Sequence, residues 1–282
     1  MKKILFPTDF SDTSLNAFKY ALNIANKMSA SISTVHTFMT PVVGSTPMVM
    51  VEEMTTLTEQ LEMEDYKQFN KKIHELAADE NLTHIRIDHR LEFGLTISEI
   101  INIAEKEAVD MILMGSDGAE GLQKWLFGSH AVSVIEKANC PVLIIPKEAV
   151  YNPIFKIAYA TNFEDINDKI LENLLNWSSV FDAALHFVHV ADSGELIDLE
   201  QFANMTDIKT LAERYENITF KILYDDDIIE KLEAFTKAEN IDILAMVTHK
   251  YSFFKRLFNP SKTKEMVFDT KLPLLVFQAP ID

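Results

Sequence analysis

The sequence predicts an α/β protein made of two tandem copies of one parallel sheet covered by helices on both faces. Three observations carry this. Short β-branched apolar runs alternate with longer amphipathic stretches, the pattern of a sheet with crossover helices. That alternation is run through twice. Finally, the strings GSDGAEGLQKWLFGS (115–129) and VTHKYSFFKRLFNPS (247–261) have the same length and both contain KxLF, yet only the first has glycines.

The repeat is legible residue by residue. KKILFPTDFSD at residue 2 matches FKIAYATNFED at 155, with Lys3, Ile4, Thr8 and Phe10 falling on Lys156, Ile157, Thr161 and Phe163. The same offset of 153 brings Val35-His36 onto Val188-His189. Later, AVDMILMGS at 108 matches NIDILAMVT at 240, and CPVLIIP at 140 matches LPLLVFQ at 272, both at offset 132. The first copy therefore carries 21 extra residues, around Phe38 to Gln60. A period this long means whole domains rather than a solenoid, and 282 residues suit two of them. The expected domains are 1–148 and 149–282.

In the first copy, KILFP reads as a strand. SLNAFKYALNIANKM reads as a helix with Leu15, Phe18, Leu22 and Ala25 on one face, its start capped by Ser11 or Asp12. SISTVHTF is a strand, Leu57 to Asp79 a charge-rich helix, and HIRIDHRL a strand. TISEIINIAEKEA is a helix, DMILMG a strand, SHAVSVIEKA a helix and PVLIIP the last strand. The sheet this implies is parallel, with right-handed crossovers. The second copy repeats the order from FKIAYA to LPLLVFQ.

Composition excludes several classes. The chain is 48% hydrophobic and 24% charged, as in globular proteins, and no apolar run reaches the ~18 residues of a membrane span. MKKILFPTDF breaks at Pro7 and Asp9 and lacks a small-residue cleavage site, so it does not read as a signal peptide, and a cytoplasmic location is expected. Net charge is −17, divided evenly as −8 over 1–148 and −9 over 149–282. Neither half is a basic module, so no nucleic-acid and no membrane partner is expected. Cys140, the one cysteine, rules out an internal disulfide and reads as a core thiol.

The loop at 115–129 joins a strand end to a helix start. Open α/β sheets bind ligands at such strand ends, where free N–H groups and a helix dipole favour anions. Glycine there permits φ > 0 and close approach of phosphate to backbone. Ser129 adds a hydroxyl and a helix cap. GxxxxGK[ST] and GxGxxG are both absent. Spacing alone leaves a phosphate loop and an ordinary glycine-containing turn both open.

Gly115-x2-Gly118-x9-Gly128-Ser129, after Met114 and before a helix and CPVLIIP, resembles the nucleotide-binding loop of the universal stress protein family. KILFPTDFS, with Pro7 and Asp9, is similar to that family's first strand, and STVHTF to its second. The resemblance spans nearly the whole chain as two copies. It implies two tandem flavodoxin-like (Rossmann-like) domains, each a five-stranded parallel sheet. It also implies ATP as ligand: Asp9 and Thr37 beside adenine and ribose with Pro7, Gly115, Gly118, Gly128 and Ser129 on the phosphates, and Met114 and His130 flanking them. Thr37 departs from the family's aliphatic residue. Asp117 and Glu120 depart too, because a carboxylate 4 Å from a phosphate charge costs about 4 kcal/mol at an effective dielectric of ~20. They point away, or a Mg²⁺ bridged by Asp117 lies between.

In the second copy, Val247, Lys250, Pro260 and Ser261 replace Gly115, Gly118, Gly128 and Ser129, and Asn162 and Ala160 replace Asp9 and Pro7. Valine resists φ > 0 and proline lacks an N–H, so the cradle is dismantled there while the helix start is kept. Lys250, Lys255 and Arg256 leave a different anion open. Asp225 to Asp227 read as helix caps. His186 and His189 lie on opposite strand faces, and the other histidines show no metal-ligand spacing, so no metal site and no catalytic residue is assigned.

Phe38 to Gln60, with Pro41, Gly44, Pro47 and the methionines Met48, Met50 and Met54, reads as an adaptable loop: a lid, an interdomain contact or a plain surface loop. PVLIIP and PLLVFQ are apolar edges that need covering, so the two copies are expected to pair through their final strands, with a homodimer as a further arrangement. The expected function is an ATP-binding stress-response protein in which nucleotide on the N-terminal domain is a regulatory ligand. The alternatives are a slow ATP hydrolase and a nucleotide-independent binding module.

Overall fold

A computed structural model describes residues 2–39, 48–116, 128–161, 167–191, 208–211, 213–248 and 271–278. The chain divides into two compact units, the first holding the described residues up to Cys140 and the second those from Pro141 on.

The first unit comprises β1 (Lys2–Pro7), α1 (Asp12–Met28), β2 (Ala30–Phe38), α2 (Met48–Asp79), β3 (Ile87–Phe93), α3 (Thr96–Lys106), β4 (Met111–Gly115) and α4 (Ser129–Lys137). Its strands lie in the order β3-β2-β1-β4, and all neighbours are parallel. Ile4, Leu5, Phe6, Ile112 and Leu113 are buried, as continuous apolar runs covered on both faces should be. Phe6 meets Phe18 of α1 edge-to-face at 5.1 Å. Ala17, Ala21 and Ala25 join Phe18 and Leu22 on the buried stripe of α1, and these small residues let the helix lie close to the sheet. Ser11 caps α1 by accepting from the Ser14 N–H, and Ser29 ends it in the left-handed region at φ 52°.

The second unit comprises β5 (Val142–Ile145), β6 (Lys156–Ala160), α5 (Asp168–Phe181), β7 (Ala184–Ala191), β8 (Ile218–Tyr224), α6 (Ile228–Glu239), β9 (Ile243–Thr248) and β10 (Leu274–Gln278). Its order is β5-β10-β9-β6-β7-β8. β5 runs antiparallel to β10, with Leu143 opposite Leu275; the other pairs are parallel. Asp227 accepts from the Glu230 N–H at the start of α6, the capping role expected of that acidic run.

In the first unit β1 lies between β2 and β4, and in the second its repeat counterpart β6 lies between β7 and β9. This is the 3-2-1-4 order of a dinucleotide-binding sheet, which refines the flavodoxin-like expectation (2-1-3-4-5). The reversal between β1 and β4 opens a crevice at their carboxyl ends.

One sequence expectation is corrected. Residues 48–56 are not loop but the first turns of α2, which runs for 32 residues and begins ahead of the expected Leu57. The stretch after Pro47 has no glycine or proline and keeps a helical repeat through Met50, Met54, Leu57 and Leu61. Most of the stretch from Phe38 to Gln60 is therefore helix. Residues 40–47, with Pro41, Gly44 and Pro47, lie outside the described residues.

Candidate functional site

The candidate site lies at the carboxyl ends of β1, β2 and β4 in the first unit. β1 hands over to α1 through Thr8, Asp9, Phe10 and Ser11. The Thr8 N–H continues the ladder by donating to the Val35 carbonyl at 2.9 Å. Phe10 adopts φ 65°, costly for a large residue, and its N–H donates to Thr8 Oγ1 at 3.0 Å. Its ring stacks on His36 of β2 with centroids 4.1 Å apart.

His36 holds the turn from the other side. The Thr8 carbonyl can only accept, so Nδ1–H donates to it, at 2.7 Å. Nε2 faces Glu62 Oε2 of α2 at 3.0 Å. The second unit repeats the first contact: His189 Nδ1 lies 2.8 Å from the Thr161 carbonyl. The Val-His match at offset 153 was the sequence signal for this clamp, but its carbonyl partner lies 28 residues away and local pattern does not show it.

Asp9 is used on one side only. Oδ1 accepts from the Ser11 N–H (3.1 Å), Ser11 Oγ–H (2.6 Å) and Ser14 Oγ–H (2.7 Å). Oδ2 is buried and has no hydrogen-bond partner among the described residues. A buried carboxylate oxygen without a donor costs about 1–3 kcal/mol or more, so a donor brought to it would be stabilising. Of the two serines that orient it, Ser11 was expected from the sequence only as a helix cap, and Ser14 was not singled out.

The remaining residues fall around this point. Pro7 ends β1 and is buried. Thr37, near the end of β2, donates its hydroxyl to Thr96 Oγ1 at 2.9 Å, at the first turn of α3. Met114 and Gly115 end β4. A Cβ on Gly115 would stand 2.9 Å from Thr13 Cγ2, so glycine there admits the first turn of α1. This is a packing role besides any role toward phosphate. Gly118, with Asp117 and Glu120, lies outside the described residues.

Gly128 closes the loop at its base, its N–H donating to the Ser116 carbonyl at 2.6 Å. Gly128, rather than Ser129, is the N-cap of α4, and among the described residues no side chain caps this end. The reason is one of register: the helix begins at Ser129, so that hydroxyl falls inside the first turn. Ser129 and His130 are exposed.

The second unit differs where Gly115 would be. Val247 stands at that position on β9, and α5 has 14 residues against 17 in α1, the shortfall lying at its start. The glycine and the extra helical turn are thus present together or absent together. Asn162, Lys250, Lys255, Arg256, Pro260 and Ser261 lie outside the described residues.

A model of the Universal stress protein family matches residues 1–146. The chain belongs to the universal stress protein family. Universal stress protein MJ0531 of Methanocaldococcus jannaschii is 36% identical over 147 residues, 52% of this chain and 82% of that one. Universal stress protein Slr1230 of a Synechocystis strain is 25% identical over 299 residues, covering 99% and 100% of the two chains, so that match spans both copies of this chain. A crystal structure of a universal stress protein from Archaeoglobus fulgidus matches with a TM-score of 0.69, covering 98% of each chain at 17% identity. At that identity the likeness speaks for the fold alone. Among the described residues of this universal stress protein, no helix is long and apolar enough to cross a membrane.

Proposed function

We propose that the first domain, residues 1–148, binds ATP as a regulatory ligand, and that the second, 149–282, supports it without binding nucleotide in the same way. The observation that carries this is the buried, unpartnered Oδ2 of Asp9 at the crevice between β1 and β4. It is an acceptor, and adenine's amino group or a ribose hydroxyl is a donor. The uncapped start of α4 supplies N–H groups for phosphate, together with the loop from Gly115 through Gly118 to Gly128 and Ser129. Pro7 and Thr37 would border the base and sugar, and Met114 and His130 the phosphates. Mg²⁺ enters this reading only as a bridge between Asp117 and phosphate.

Pairing of the two copies through their final strands belongs to the same proposal; the ladder joining Val142–Ile144 to Leu274–Val276 supports it. A homodimer and a cytoplasmic setting are kept as part of the reading.

The experiment is calorimetric titration of ATP into the full chain and into Asp9→Asn and Gly118→Val. Weaker binding in both variants supports the assignment. Phosphate release on the timescale of binding would instead favour a hydrolase.

A further inference from the structure

Two histidines that sequence spacing leaves unrelated come together on the first unit. His74 lies on α2 and His89 on β3, and their Nε2 atoms are 3.1 Å apart with the rings nearly perpendicular. Two imidazole nitrogens on one tetrahedral ion at ~2.05 Å each are about 3.3 Å from one another. The pair thus already stands at roughly the bite of a chelate.

A hydrogen bond behind His89 fixes the orientation of its ring: Nδ1 lies 2.8 Å from Thr34 Oγ1. In the tautomer whose Nδ1–H donates to Thr34, His89 Nε2 carries a lone pair turned to His74. An oriented imidazole whose other nitrogen donates to a neighbouring group is the usual outer arrangement of a histidine metal ligand.

The surroundings admit an ion. His74 is exposed and His89 half-buried, so solvent reaches the pair from one side and can complete the coordination. One turn before His74 on α2, Asn70 has a buried amide oxygen with no hydrogen-bond partner among the described residues. The net charge of −17 raises the local concentration of cations. Among the described residues no cluster of three or more His, Cys, Asp and Glu side chains could hold a metal. Two protein nitrogens with solvent describe a site of modest affinity, and imidazole donors favour a borderline transition ion over Mg²⁺ or Ca²⁺.

We propose that His74 and His89 chelate one borderline divalent transition-metal ion, of the Zn²⁺ and Cu²⁺ class, and so pin α2 to β3. The competing arrangement is a plain N–H···N hydrogen bond between the rings.

The test is titration of chelator-treated full-length protein with Zn²⁺ by calorimetry, and with Cu²⁺ by electron paramagnetic resonance. One equivalent is expected, with hyperfine coupling from two nitrogens. His74→Ala, at an exposed position, should abolish it while the circular dichroism spectrum is unchanged. Thr34→Val should weaken it about 10–100-fold with the ligands intact. His84→Ala and His130→Ala should leave it unaltered. No stoichiometric binding by the unmodified protein, or binding that survives His74→Ala, would overturn the proposal.

Discussion

Thr13 and Gly115 are built as a pair: the Thr13 methyl occupies the space a Cβ on Gly115 would need, 2.9 Å away. The next nearest Thr13 atoms, at 3.4 and 3.5 Å, are ordinary contacts, so the clash is owed to one methyl group. Gly115→Ala is expected to destabilise the protein by about 1–3 kcal/mol, as overpacking does. Adding Thr13→Ser removes the methyl and should recover most of the loss. A double-mutant cycle from denaturant unfolding checks this, and strict additivity of the two changes would contradict it.

Asp9 separates a structural oxygen from a free one. In Asp9→Asn the amide oxygen still accepts from Ser11 and Ser14, while the Oδ2 position becomes a donor. Stability should change by less than about 1 kcal/mol, while ATP affinity should fall roughly 10–100-fold, as when a buried acceptor is replaced. Equal affinity of the two proteins would remove Asp9 from the site.

His186 makes stability depend on pH. It is buried on β7, with Nδ1 2.7 Å from Thr219 Oγ1 and an Nε2 that has no partner among the described residues. Burial lowers its pKa. In the unfolded chain a histidine takes its proton near pH ~6.5, while the folded ring resists until lower pH. Between the two the unfolded state binds more protons, so stability rises with pH there. The contribution is complete above the unfolded value and is lost as pH falls through the folded one. His186→Gln should flatten the decline in Tm on acidification from about pH 7 to pH 5; an unchanged slope would show that other groups cause it.

Cys140 should be slow to react. Burial pushes its thiol up to about 11. Two units above an ordinary thiol leave about 100-fold less thiolate at mildly alkaline pH, so a disulfide reagent should label the native protein roughly that much more slowly than the denatured one. Comparable rates would mean that the thiol is not held in an apolar setting.

Fold class and repeat were legible because they rest on local periodicity, which the strands from Lys2–Pro7 to Leu274–Gln278 carry in their own residues. The capping of α1 by Ser11 was legible for the same reason. The start of α2 was misread because Pro41, Gly44 and Pro47 drew the loop assignment past their own positions, although the helical repeat resumes at Met48. Ser129 was placed at the helix start, but register gave the cap to Gly128. What stayed hidden is long-range: His36 meets Glu62 across 26 residues, and His74 meets His89 from a helix to a strand. Such contacts depend on how elements pack, and no periodicity within either element reports them.

The central claim is one nucleotide site per chain, centred on Asp9. Its most direct test is the stoichiometry of ATP binding to the full-length protein by calorimetry, with Asp9→Asn beside it. The account expects one equivalent per chain, weakened roughly 10–100-fold in the variant. Two equivalents per chain, or no binding below about millimolar ATP, which is weaker than about −4 kcal/mol, would contradict it.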